Sequence, residues 1–268
     1  MEIKMTRNFE TLLLEQQDDG LLVITLNRPE TRNALNTQMG RELGEIFVPL
    51  SFAPGDYRCI VITGSGEKAF CAGGDLKERN GMTDAAWRAQ HAIFEQAYYA
   101  IMDCSVPVIA AVNGAAFGGG LELALACDFI YCAETSRFAL PETTLGIMPG
   151  VGGTQNLPRA VGERRAKELI LRGAPFSAQE AFDWGMVNRI CEPAALMPAA
   201  LEIARQICSS APVSVRQAKK SIHHGLNTDL KTGLAFEIEA YNRTVVTEDR
   251  LEGVRAFAEK RKPRFTGK

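Results

Sequence analysis

Apolar residues fall into short unbroken runs early in the chain and into spaced stripes later. "LLVITLNRP" (21–29) is a β-rich run ended by proline, while "YRCIVITG" (57–64) and "VPVIAAVNG" (106–114) are near-continuous apolar runs closed by glycine. Runs of this kind predict strands buried on both faces of a sheet. "CDFIYCAE" (127–134) predicts another strand, and "TQMGRELGEIFVPL" (37–50) and "DAAWRAQHAIFEQAYYAIMDC" (84–104) have helical spacing. Strand followed by helix, repeatedly, predicts an α/β core with mostly parallel crossovers.

After about residue 160 the strand signal nearly vanishes. "GERRAKELILRG" (162–173) is a charged amphipathic helix with a glycine stop, and "SAQEAFDWG" (177–185) carries an N-cap serine, a capping-box Glu180 and a closing glycine. Helical patterns follow at 194–210, 213–226, 230–246 and 248–261, with apolar stripes at Leu234, Ile238, Tyr241 and Val245 and at Leu251, Val254 and Phe257. A helical extension with such stripes packs on the core or on another subunit.

Composition excludes some partners. The 268 residues are 46% hydrophobic and 23% charged, with a net charge of −2, which gives no electrostatic reason to expect nucleic acid. The longest uncharged run, from Cys104 to Leu121, approaches the length of a membrane span, but Pro107, Asn113 and its glycines make it strand, turn and helix. "MEIKMTRNFE" has no apolar segment of the secretory kind, and Met5 is a second candidate start. Seven cysteines without a C-x-x-C pair fit reduced thiols and a cytoplasmic location. The three histidines, His91, His223 and His224, lack metal-ligand spacing, so no metal is expected, and there is no G-x-S-x-G elbow.

Three glycine-rich stretches remain. In "AFGGGLELALACDF", Gly118 to Gly120 stand where a strand gives way to a helix, with Glu122 in its first turn. A helix start offers unpaired amides and positive potential to a phosphate or a developing oxyanion. Close packing of helix on strand accounts for the same glycines equally well. "GEKAFCAGGDLKERN" (66–80) places Gly73 and Gly74 before Asp75, which opens a short helix. In "RFALPETTLGIMPGVGGTQNLPR" (137–159), Pro141 and Glu142 start another, and glycines 150, 152 and 153 form a flexible turn.

In this order, "LNRPETRNALN", "GEKAFCAGGDLK", "PVIAAVNGAAFGGGLELALACDF", "FALPETTLGIMPGVGGTQNLPR", "AQEAFDWGMV" and "AFAEKRKPRF" resemble the enoyl-CoA hydratase/isomerase (crotonase) superfamily over nearly the whole chain. The resemblance implies a spiral of ββα units forming two sheets. It divides the chain into a core over 1–200 and a helical region over 201–268 that trimerises, with trimers commonly pairing into hexamers. It implies an acyl-CoA thioester substrate, whose oxygen sits on the amides of Gly74 and Gly119, with Glu122 and Glu142 as the two acids of a hydratase. Arg32, Ala34, Ala72, Asp75, Leu76 and Lys77 match CoA-contacting positions. Phe257 and Lys260 match a segment that closes the CoA site, often from a neighbouring subunit. No cofactor is implied beyond the CoA carried by the substrate.

The expected reaction is reversible hydration of a 2-enoyl-CoA to a 3-hydroxyacyl-CoA. The alternatives are double-bond isomerisation, a specialised acyl-CoA dehydration, or a non-catalytic, RNA-binding scaffold. Retention of both glutamates favours hydration. Residues 78–96 are expected to border the acyl pocket, with branched substrates such as methylglutaconyl-CoA and straight ones such as crotonyl-CoA both open.

Overall fold

The computed structural model describes residues 9–268, so the N-terminal residues that include Met5 lie outside the described part. Its elements follow in chain order: β1 (Leu12–Gln16), β2 (Leu21–Leu26), α1 (Thr37–Leu50), β3 (Cys59–Gly64), β4 (Ala69–Cys71), α2 (Leu76–Arg79), α3 (Asp84–Met102), β5 (Val108–Val112), β6 (Ala115–Phe117), α4 (Gly119–Ala126), β7 (Phe129–Ala133) and β8 (Arg137–Ala139). A 3-10 turn (Glu142–Leu145) leads to α5 (Gly153–Val161), α6 (Glu163–Arg172), β9 (Phe176–Ser177), α7 (Ala178–Asp183) and β10 (Arg189–Cys191). The chain ends in α8 (Pro193–Cys208), α9 (Pro212–Gly225), α10 (Leu230–Val245) and α11 (Glu248–Ala258).

The strands form two sheets. The larger has the order β1-β2-β3-β5-β7-β10 and is parallel except for the antiparallel β1 edge. The smaller has the order β4-β6-β8-β9, with only β9 antiparallel. Each turn of the chain runs through the large sheet, then the small one, then a helix: β3–β4–α3, β5–β6–α4, β7–β8–α5. This is the expected succession of ββα units. The first turn is abbreviated, because between β2 and α1 the small sheet is touched only by Leu35, bridged to Gly74.

Apolar strands predicted to be buried on both faces are so. Leu22, Ile24, Ile60, Ile62, Val108 and Ala110 face a core shared with α1, α3 and α4. Their neighbours Leu21, Val23, Cys59, Val61, Ile109 and Ala111 face Leu196, Ala199, Ala200 and Ala204 of α8. α8 is therefore part of the core, and the division expected at residue 200 runs through it. The capping box of α7 is present, with Ser177 and Glu180 satisfying each other's backbone amides. All seven cysteines are free and buried. No helix among the described residues is long and apolar enough to cross a membrane.

The structure refines two points of the sequence reading, and the C-terminal stretch adds a third observation. β9 and β10 lie beyond residue 160, too short to leave an apolar run. The turn at glycines 150 to 153 is followed at once by α5, which begins at Gly153 itself. The basic C-terminal stretch folds back on its own helix: Arg261 grips Glu252 at 2.6 and 2.9 Å, and Asp249 accepts the amides of Thr266 and Gly267.

The smaller sheet meets α4 at a backbone-to-backbone contact. A Cβ on Gly120 would lie 2.1 Å from the carbonyl oxygen of Cys71 in β4, and neither partner is a flexible side chain. Gly120→Ala should therefore cost at least about 3 kcal/mol as overpacking that only backbone movement relieves. Thermal unfolding should show the midpoint fall by roughly 6 °C or more.

Candidate active site

The loop after β4 is fixed from two sides. Leu35 N–H donates to Gly73 C=O and Asp75 N–H to Leu35 C=O, both at 2.8 Å. Alternation along this bridge turns the N–H of the intervening Gly74 the other way, into a cavity. Asp75 accepts from the amides of Lys77 and Glu78 to cap α2, and from Arg28 Nη1 at 3.0 Å. Burial raises the Asp75 pKa, but Arg28 and the two amides outweigh it and hold the carboxyl below its usual range. Arg28 Nη1 also donates to Ala34 C=O at 2.6 Å, tying both loops together.

The second loop is built from the opening glycines of α4. Gly118 has φ 53° and ψ −127°, a conformation glycine adopts at little steric cost. A Cβ there would approach Glu142 Oε1 to 3.0 Å. Gly119 is the first residue of α4, so its N–H has no place in the helical ladder. Tyr98, buried in α3, donates its hydroxyl to Gly119 C=O at 2.6 Å and orients that peptide. The two amides are neighbours. A Cβ on Gly119 would stand 4.0 Å from Gly74 N, and one on Gly73 would stand 3.6 Å from Gly119 N and 2.8 Å from Phe117 C=O. The glycines thus serve both readings left open by the sequence. They let backbones pack, and the packing sets two amides side by side.

Glu122 and Glu142 line the same cavity of about 390 Å³. Glu122, on α4, is 3% exposed, and its Oε1 accepts from Val151 N–H at 2.9 Å and Gly153 N–H at 2.8 Å. Burial raises its pKa, while these amides at the start of α5 oppose the rise. Glu142 has less support, a single opposing backbone hydrogen bond at its own residue. It is 8% exposed, and its Oε2 is buried without a hydrogen-bond partner. Burial, with the charge of Glu122 as a lesser cause, pushes it up to about 7. The site therefore pairs an anchored acid with one that holds its proton near neutrality.

The other predicted positions divide. Ala72 and Leu76 line the cavity. Arg32 is exposed at φ 55° just outside it, and Ala34 is buried beneath the loop. Lys77 is exposed, and Asp75 is buried with its carboxylate engaged by Arg28 and the amides of its helix cap. Phe257 and Lys260 are exposed on the C-terminal segment, away from the cavity walls, which come from residues 35–151. Of 78–96, Arg79, Trp87, His91 and Phe94 line this cavity. Tyr98, Ile147, Met148 and Val151 were not anticipated. Tyr98 reads as one more apolar position of α3, and the amides of Val151 and Gly153 leave no side-chain signal.

A buried glutamate pair beside two adjacent backbone amides is an arrangement that can stabilise negative charge on a carbonyl oxygen while protons move. Residues 16–268 match the family model described as enoyl-CoA hydratase/isomerase. The chain is 38% identical to crotonyl-CoA hydratase of Syntrophomonas wolfei, covering 97% of this chain and 99% of that protein. It is 40% identical to the mitochondrial methylglutaconyl-CoA hydratase of Mus musculus, covering 99% of this chain and 86% of that protein. The crystal structure of an enoyl-CoA hydratase from Bacillus anthracis superposes with a TM-score of 0.94 at 44% identity, over 97% of this chain and 100% of that one. The chain belongs to the enoyl-CoA hydratase/isomerase family.

The Glu142 environment has a consequence for stability. Its pKa in the fold, about 7, lies above its ordinary 4.5, so the fold favours the protonated acid. Its contribution is full below about pH 4.5 and is lost as pH rises through 7. Glu142→Gln mimics the neutral form and should escape that loss. Urea unfolding at about pH 5 and about pH 8 should show the wild type losing up to about 3 kcal/mol relative to the variant.

Proposed function

We propose that this protein adds water reversibly across the double bond of a 2-enoyl-CoA, giving a 3-hydroxyacyl-CoA. The observation that carries this reading is the convergence of the Gly74 and Gly119 amides with Glu122 and Glu142 on one cavity. A thioester oxygen seated between the two amides gains negative charge as the enolate forms, which makes the β-carbon electrophilic. One such donor is worth about 3 kcal/mol, or a hundredfold or more in rate. Glu122 is oriented by the amides of Val151 and Gly153, and in this reading it holds the water that attacks the β-carbon. Glu142, pushed up to about 7, delivers the proton to the α-carbon and takes it back in dehydration. The attacking water leaves its hydroxyl on the β-carbon and sheds a proton to Glu122; Glu142, having given its own proton to the α-carbon, regains one as Glu122 releases its proton to solvent, so no redox partner or further cofactor enters. CoA travels with the substrate. The similarity extends to hydratases named for crotonyl-CoA and for methylglutaconyl-CoA, which leaves the acyl group to be decided by the cavity itself.

The test is loss of the conjugated-enoyl ultraviolet absorbance of crotonyl-CoA. The wild type should turn it over, and kcat should fall by about a hundredfold or more in Glu122→Gln and in Glu142→Gln. Turnover that survives both substitutions would sink the two-acid reading.

The proposal includes self-association as a trimer or a dimer of trimers in a reducing, cytoplasmic setting. Leu230, Leu234, Ile238 and Tyr241 of α10 and Leu251, Val254 and Phe257 of α11 are half or more exposed in the single chain. An apolar face of this extent supports burial against another copy. It would also allow Phe257 and Lys260 to reach a neighbouring subunit's CoA site. Light scattering should report three or six chains, and the double substitution Leu234→Glu with Ile238→Glu should shift the mass toward one.

A further inference from the structure

The cavity contains a cation that the hydration chemistry does not use. Arg79, the last residue of α2, lines the wall beside the first amide donor: its Cζ and Nη1 are each 3.2 Å from the position of a Cβ on Gly74. Its guanidinium lies 4.4 Å over the Trp87 ring and 5.6 Å from the Phe94 ring centre, so its plane is fixed by packing. One edge is held: Nε donates to Gln90 Oε1 at 2.8 Å. Gln90 is itself 3% exposed and donates to Thr37 Oγ1 at 2.9 Å and Glu78 Oε2 at 2.8 Å.

The other edge is free. Nη1 and Nη2 have no hydrogen-bond or ion-pair partner among the described residues. Burial lowers the Arg79 pKa, and Glu78 is the acid that opposes this most, but its Oε2 is occupied by Thr37 N–H and Gln90. Glu122 and Tyr98 also act on the guanidinium from the cavity side. Tyr98 stays a neutral phenol, and burial shifts Glu122 and Glu142 toward their neutral forms. An oriented, half-buried guanidinium with two unused donors, beside Trp87, His91, Phe94, Leu145, Ile147 and Met148, is complemented by an anion that arrives with the ligand. The matching group is a carboxylate, which meets a guanidinium edge through two parallel hydrogen bonds.

We infer that Arg79 selects a 2-enoyl thioester whose acyl portion carries a second carboxylate, bound at the guanidinium's free edge while the thioester oxygen lies on the amides of Gly74 and Gly119. Arg79 is then a specificity residue, and the substrate class is the CoA monothioester of an unsaturated dicarboxylic acid. This rests on the reading of the cavity as an acyl-CoA site. Water still adds across the conjugated double bond, and the second carboxylate is unchanged.

The test compares binding of two saturated thioesters that cannot be hydrated: glutaryl-CoA and 5-methylhexanoyl-CoA, in which an isopropyl group replaces the carboxylate. By calorimetry the wild type should bind glutaryl-CoA more tightly by about tenfold to a hundredfold. Arg79→Met should abolish that ratio and Arg79→Lys should keep part of it. Because the readout is a ratio, a general loss of affinity in a variant does not imitate the effect. Equal or weaker binding of glutaryl-CoA by the wild type overturns the inference, as does a preference that survives Arg79→Met. If neither thioester binds, the acyl-CoA reading falls with it. If crotonyl-CoA is hydrated but glutaryl-CoA is not preferred, only the carboxylate selection fails.

Discussion

The approach of two backbone segments, residues 71–74 and 117–120, is the constraint on which the rest of the structure depends. Side chains would hold these segments apart. A Cβ on Gly73 would meet Phe117 C=O at 2.8 Å, and one on Gly120 would meet Cys71 C=O at 2.1 Å. Contact of this kind requires glycine on both sides, and it requires two adjacent turns of the spiral to end at the same level. The parallel pairing of β3 with β5 and of β4 with β6 supplies that level. The amides of Gly74 and Gly119 then become neighbours as a result of packing, with no side chain needed to aim them.

Charge is distributed around this contact with equal economy. Glu122 projects from α4 to the start of α5, where two amides accept the burden of its desolvation. Glu142 comes from the 3-10 turn after β8 and abuts Gly118, with a buried oxygen left unmatched. The two carboxyls differ because one meets a helix start and the other does not. Around them, the Arg28–Asp75 pair draws the loop after β2 onto the loop after β4, and so holds Gly74 against Leu35. Arg79 is held in the same manner by Gln90, which reaches across to α1 through Thr37. Residues without direct access to a substrate thus decide where the accessible ones point.

Much of this was legible without coordinates. The long strands are unbroken apolar runs because both of their faces are buried, and α1, α3 and α6 to α11 carry caps or stripes that mark them. The short strands β4, β6, β8, β9 and β10 left no comparable trace, since two or three residues cannot show an alternation. Gly74, Gly119, Glu122 and Glu142 were identifiable from motifs in order. The same motifs mark Asp75, but its bond to Arg28, far away in sequence, was not legible there.

The sequence by itself determined the family, the two glutamates that line the cavity and the glycine positions, because each is carried by residue type at a fixed local spacing. Tertiary structure decided which amides are neighbours, which glutamate is anchored, and which charged residue of "LKERN" turns inward. Those outcomes depend on distances between segments far apart along the chain. Val151 and Gly153 act through backbone N–H groups that nearly every residue possesses, so their role exists only where α5 meets Glu122. Arg79 differs from the exposed Lys77 only in what surrounds it: Trp87, Phe94 and Gln90 make a guanidinium that would otherwise be solvated into part of a cavity wall.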